Sequence, residues 1–211
     1  MPSAKDIIVK PISAQAANNL VKKVHYSGSH TQNSQIHLGV FLNNKLEGAM
    51  QFGPPIDRRK LLPLVKDTKW HDMIELNRMA FSDVLPKNSE SRAMAVAFRL
   101  IKKNYPNIEW IVSFADGTQC GDGTIYRAAG FVLTAIRKNS TIKQLADGSI
   151  VASHGTSKKD FTGAKALEGC QLRYIYFLNK EAKERLTVPS IPFSKIDEMG
   201  VGMYKGVQRT K

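Results

Sequence analysis

The chain has 211 residues, enough for one core of ordinary size without a disulfide or metal staple, and its two cysteines, Cys120 and Cys170, form no CxxC pair and no secreted disulfide framework. Lys and Arg number 31 against 18 Asp and Glu, a net charge of +13, which points first to nucleic acid, next to an anionic cofactor such as coenzyme A, with a solvated basic surface as the plain alternative. The opening MPSAKDIIVK lacks the apolar core of a signal peptide and no stretch is long and apolar enough to cross a bilayer, so the sequence reads as reduced, cytoplasmic and without a membrane partner.

In chain order, Asp6 to Pro11 alternates as a first strand, and Ser13 caps a helix with Ala16, Ala17, Leu20, Val21 and Val24 at helical spacing. That helix ends at His25-Tyr26-Ser27-Gly28. Two apolar strands, Ile36 to Leu42 and Leu46 to Phe52, form a hairpin through the Asn43-Asn44-Lys45 turn. Gly53-Pro54-Pro55 then opens a polar, basic loop to Trp70, before Met73 to Phe81 resumes a strand. Asn88 and Ser89 start an Ala-rich helix that ends near Asn104-Tyr105-Pro106. An apolar strand reaches Asp116, glycines break it, and a short helix ends at Gly130-Phe131. Between Thr134 and Gly169 lies a polar insert centred on a hairpin with Asp147-Gly148 at its turn, made basic by Lys138, Lys143, Lys158 and Lys159. Leu172 to Leu178 is the last strongly apolar strand.

This order predicts an α/β fold with a mixed central sheet, parallel crossovers in its second half and a basic β-hairpin insert. Residues 1–180 read as one catalytic domain carrying the insert at about 135–170, and 181–211 as a carboxy-terminal extension. In such sheets ligands gather beyond the carboxyl ends of strands, where Asp116 falls, with Tyr126 on the helix that follows. His25 and Tyr26 at the first helix end add an imidazole and a phenol. The set suits general acid–base work or a metal bound by mixed nitrogen and oxygen donors, iron better than zinc; a helix cap and ordinary packing are the plainer readings. The helix start at residue 88 offers free N–H groups to an anion such as a CoA pyrophosphate. Asn88, Ser89, Arg78 and Arg92 are candidate contacts there, although Asn88 and Ser89 also read as simple caps, and the glycine-rich turn usual for acetyltransferases is absent.

Tyr126-Arg127-Ala128-Ala129-Gly130-Phe131 resembles the acetyltransferase helix that presents a tyrosine to the CoA sulfur. HYSG at His25 to Gly28, HLGVF at His37 to Phe41, GAMQFGPPID at Gly48 to Asp57, ELNRMAF at Glu75 to Phe81, SFADG from Ser113 and IYRAAGF from Ile125 together resemble a narrower group, the Mom family of phage DNA-modification enzymes built on the acetyltransferase (GNAT) fold. That resemblance implies conversion of adenine N6 in double-stranded DNA to a methylcarbamoyl or acetamido-type derivative that evades host restriction, in the cytoplasm of an infected or lysogenic bacterium. It implies acetyl-CoA and iron (Fe) as cofactors. It places His25, Tyr26, Asp116 and Tyr126 at active-site positions, makes His25, Tyr26 and Asp116 the metal donors, and makes Arg78 a CoA contact. A conventional acetyltransferase acting on a protein or small amine is the alternative, and the oligomeric state, a homodimer included, is left open. The base is expected to flip out of the duplex and stack on Tyr26, Trp70 or Phe52, with the insert and Arg58-Arg59-Lys60 facing the DNA.

Overall fold

The computed structural model describes residues 2–25, 28–116, 123–139, 142–152, 161–167, 169–199, 203–204 and 207–208. Tyr26, Lys158 and Lys159 lie outside the described residues. A 3-10 turn at Ala4–Asp6 leads into β1 (Ile8–Pro11), followed by α1 (Ala14–Val24), β2 (Ile36–Leu42), β3 (Lys45–Gly53), α2 (Arg58–Leu61), β4 (Met73–Phe81), α3 (Ser89–Asn104), β5 (Trp110–Asp116), α4 (Thr124–Ala128), β6 (Val132–Asn139), β7 (Ile142–Gln144), β8 (Ile150–Ala152), β9 (Lys165–Ala166), β10 (Gly169–Phe177), α5 (Lys180–Glu184) and α6 (Ser194–Glu198). Seven strands form one sheet in the order β1-β2-β3-β4-β5-β10-β6. β1 to β4 pair antiparallel and β4 pairs parallel with β5, so the sheet is mixed. Among the described residues no helix is long and apolar enough to cross a membrane.

The chain forms two compact units, one of Met1–Ser113, Ile125–Val132 and Ile175–Pro189, the other of Phe114–Thr124, Leu133–Tyr174 and Ser190–Lys211. In the first unit Ser13 caps α1 by accepting from Ala16 N, as its sequence predicts. The apolar stripe of α1, with Ala17 and Val21 fully buried, packs on Ala49 of β3 and Ala80 of β4. Small residues on both sides let the helix lie close to the sheet. The β2–β3 hairpin turns through Asn43 and Asn44, both at positive φ (49° and 62°), which asparagine tolerates and which matches the strand twist. Between β3 and β4 the sequence predicts a loop, but the structure winds α2 and a 3-10 turn at Leu62–Leu64. Distant partners fix that winding: Val65 bridges to Leu186, and Thr187 Oγ1 donates to Pro63 O at 2.7 Å.

In the second unit, β6 carries regular strand through Asn139, further than the predicted start of the insert. β7 and β8 then form the expected hairpin, with Gly148 at φ 80° in its turn, and β9 adds a third short strand on the other side of β7. Arg173 of β10 is buried and bonds Thr134 of β6 through Nε to Oγ1 (3.0 Å) and Nη2 to the carbonyl (3.2 Å).

Candidate active site

The register between β3 and β4 decides which side chains share a face. Ala49 lies opposite Ala80, Gln51 opposite Arg78 and Gly53 opposite Glu75, with a shift between Gln51 and Phe52 that leaves Asn77 as the extra residue of a β-bulge. Directly opposed residues project to the same side, and alternate residues of one strand do too. Ala49, Gln51 and Gly53 therefore set one face, and the bulge brings Glu75 and Arg78 onto it together although they are three residues apart. This is the face that α1 covers, and His25 follows directly on the last residue of α1.

The electrostatics of this group are unusual. Glu75 is half-buried, and burial raises its carboxyl to about 7 even though Arg78 and a hydrogen bond with Asn77 pull the other way. Burial, with the Arg78 cation adding to it, depresses His25 to about 4. At neutral pH the imidazole is thus uncharged and the carboxyl is poised near its midpoint. Arg78 is fixed between them by donating from Nε to Ser29 O (3.3 Å) and from Nη1 to Asn77 O (2.8 Å). Gln51, fully buried on the same face, donates to Asn18 Oδ1 of α1 at 2.7 Å and leaves its Oε1 without a partner.

The segment after Gly28 roofs this face. Ser34 Oγ donates to Asn77 Oδ1 (3.3 Å), and Gln35 N donates to Phe52 O (2.7 Å). Gly53 permits the close approach: a Cβ there would overlap the carbonyl of Asn33 and stand 2.8 Å from both Asn77 Oδ1 and Ser34 Cα. Gly53→Ala is expected to lower the unfolding free energy by about 2 kcal/mol and to displace the roof, read as a lower urea midpoint.

On the other side of β4, pairing with β5 stops early. The ladder joins Met73, Ile74 and Glu75 to Trp110, Ile111 and Val112 and goes no further. Ser113 Oγ instead lies 3.2 Å from Leu76 O and 3.0 Å from Tyr126 Oη, hydrogen-bonded to both. A side chain has replaced a ladder bond, so past Leu76 this edge of β4 has no β5 strand registered against it. Tyr126 is placed by that bond and by an edge-to-face contact with Phe131 (5.2 Å between ring centres).

Of the sequence-predicted residues, His25 and Arg78 come together, and Tyr126 sits at the end of the β4–β5 ladder. Asp116 is the last residue of β5, partly exposed, and belongs to the second unit. Asn88, Ser89 and Arg92 open α3. Asn88 occupies the cap position in the left-handed conformation (φ 70°) and makes no side-chain cap bond, so capping does not account for it. Ser89 is fully buried with its Oγ unpartnered, and Arg92 is exposed. Glu75 is the residue missed by motif reasoning; its signal was a lone carboxylate within the apolar run of Met73 to Phe81.

Of the three expected iron donors, His25 and Asp116 are described and Tyr26 is not. Among the described residues no three His, Cys, Asp or Glu side chains stand where they could hold a metal ion. His25 is neutral at pH 7, as a metal ligand must be.

The seven-stranded mixed sheet flanked by helices has the acetyltransferase fold. Solved structures agree: the ribosomal-protein-S18-alanine N-acetyltransferase of Escherichia coli superposes with a TM-score of 0.50 at 10% identity, covering 82% of this chain and 94% of its own. The spermidine/spermine N-acetyltransferase SpeG of Vibrio cholerae gives 0.52 at 8% identity, covering 86% and 98%. Within that fold the chain belongs to the Mom protein family, whose model matches residues 6–195. It is 33% identical over 196 residues to the methylcarbamoylase Mom of Escherichia phage Mu, spanning 87% of this chain and 80% of that relative.

Proposed function

We propose that this chain is a DNA-modifying transferase that attaches a methylcarbamoyl or acetamido-type group to adenine N6 in duplex DNA, in the cytoplasm of an infected or lysogenic host, and so protects phage DNA from restriction. Membership of the Mom family, the methylcarbamoylase name of its phage Mu relative and the +13 charge support this reading. The observation that carries it is the bulge at Asn77, which seats Glu75, near its midpoint at neutral pH, beside Arg78.

Adenine N6 is a weak nucleophile because its lone pair is delocalised into the ring. Bonding it to an electrophilic carbon releases one of its protons, and a carboxylate titrating near 7 is matched to take that proton. Arg78 then faces the negative charge that develops on the acyl oxygen. His25, uncharged, orients the amine by a hydrogen bond, and Tyr126 gives a phenol to the departing group. Tyr26 and Asp116 complete the proposed catalytic set from the family pattern.

The start of α3 fits an anionic cofactor. Its first-turn N–H groups lack a side-chain cap, and Ser89 Oγ is buried without a partner. Ser89, Asn88 and Arg92 would hold the pyrophosphate of acetyl-CoA, with Arg78 toward its acyl end; bound there, acetyl-CoA supplies the acyl group. Acetyl carries no nitrogen and lies two electrons below a methylcarbamoyl or acetamido group, so such a product requires a nitrogen donor and a two-electron oxidant in addition to acetyl-CoA. The functional test is restriction protection. Plasmid from cells making the wild-type chain is expected to resist endonucleases whose sites contain adenine, and plasmid from cells making Asp116→Ala to be cut fully; full cutting of both removes the reading.

A further inference from the structure

The segment between β3 and β4 holds an apolar tip that nothing in the proposed chemistry uses. Ile56 is 97% exposed, and Trp70 at the far end of the segment is 48% exposed. The tip is braced. Pro54 and Pro55 stiffen the chain before it, Pro55 is buried, and Asn33 Nδ2 donates to the Pro54 carbonyl. After it, Asp57 pairs with Lys60, and Arg58 donates from Nη1 to Trp70 O (2.8 Å) with its guanidinium 5.1 Å from the Trp70 ring centre. Arg58 and Lys60 are therefore tied into the loop, which leaves exposed Arg59, Lys66 and Lys69 to supply the positive surface. A cavity of about 450 Å³ lies between the tip and Trp70.

Leaving an isoleucine in water forgoes the favourable burial of its side chain. A braced loop that keeps one fully exposed is set to insert it into something. The tip is close to the candidate site: Gly53 touches the Asn33–Asn77 roof, and three residues reach at most about 11 Å. Enzymes that work on a stacked base swing it out, and an apolar side chain entering the stack holds the duplex open.

We propose that Ile56 is that wedge, entering the base stack of duplex DNA beside the target adenine while Arg59, Lys66 and Lys69 contact phosphates. This rests on the adenine-modification reading. A protein partner covering Ile56 is the competing occupant, and the test separates the two.

The probe is a duplex carrying 2-aminopurine in place of an adenine that the wild-type chain modifies in cells. At saturation the wild type is expected to raise its fluorescence severalfold. Ile56→Ala, at a site too exposed to affect folding, is expected to bind the duplex within about threefold of wild type yet give under about a fifth of the rise. Opposite an abasic site, where opening costs less, the two proteins should give equal signals. An undiminished rise with Ile56→Ala, or a deficit that persists opposite the abasic site, overturns the wedge, as does wild-type modification without any rise. Absence of modified adenine in wild-type plasmid instead removes the parent reading.

Discussion

Glu75→Gln is expected to lower adenine modification by about 10²–10⁴-fold while leaving the fold and DNA affinity near wild type. The amide keeps the shape and one acceptor but cannot take the N6 proton. The pH dependence separates this role from a merely structural one. With its carboxyl at about 7, the wild-type rate should climb as pH rises through that value and then level off, because the ionised form is the active one. The residual rate of Glu75→Gln should lack that step. A variant rate within threefold of wild type, or a surviving step near pH 7, would assign the base elsewhere.

Stability should carry a second signature, in which His25 and Glu75 oppose each other. His25 falls from 6.5 unfolded to about 4 in the fold, so below 6.5 the unfolded chain binds a proton that the folded chain refuses, and stability drops as pH falls toward 4. Glu75 rises from 4.5 unfolded to about 7 in the fold, so above 4.5 the folded chain keeps a proton that the unfolded chain has lost, and stability drops as pH climbs toward 7. At about 1.4 kcal/mol per pH unit, each contribution reaches about 3 kcal/mol. Their slopes cancel between 4.5 and 6.5. Urea midpoints of the wild type should therefore change little from this pair across that window, those of Glu75→Gln should fall with acidification, and those of His25→Gln should fall as pH is raised. Parallel curves for all three proteins would contradict the paired titration.

Local chemistry made much of the scaffold legible. Ser13 before an apolar stripe specifies a capped helix, Asn43-Asn44 a tight hairpin and Asp147-Gly148 the turn of the insert; each acts within a few residues, where sequence reasoning is strong. The mixed sheet and the family strings followed from the same reading. Glu75 did not. Plain alternation puts residues 75 and 78 on opposite faces, and only the two-against-one pairing with β3 turns them to the same side. That bulge depends on the partner strand, which local pattern does not report. The winding at Arg58 to Leu64 was hidden for a like reason, since the residues that hold it lie beyond position 184. Arg58, read as a DNA contact from charge alone, also braces Trp70, a role that composition does not report.

The most direct measurement is mass spectrometry of nucleosides from plasmid recovered from cells that express the wild-type chain or Glu75→Gln at equal soluble levels. The account predicts a deoxyadenosine carrying the added group in the wild type and its near absence in the variant. Unmodified adenine from well-expressed wild-type protein, or equal modification in both, would contradict it.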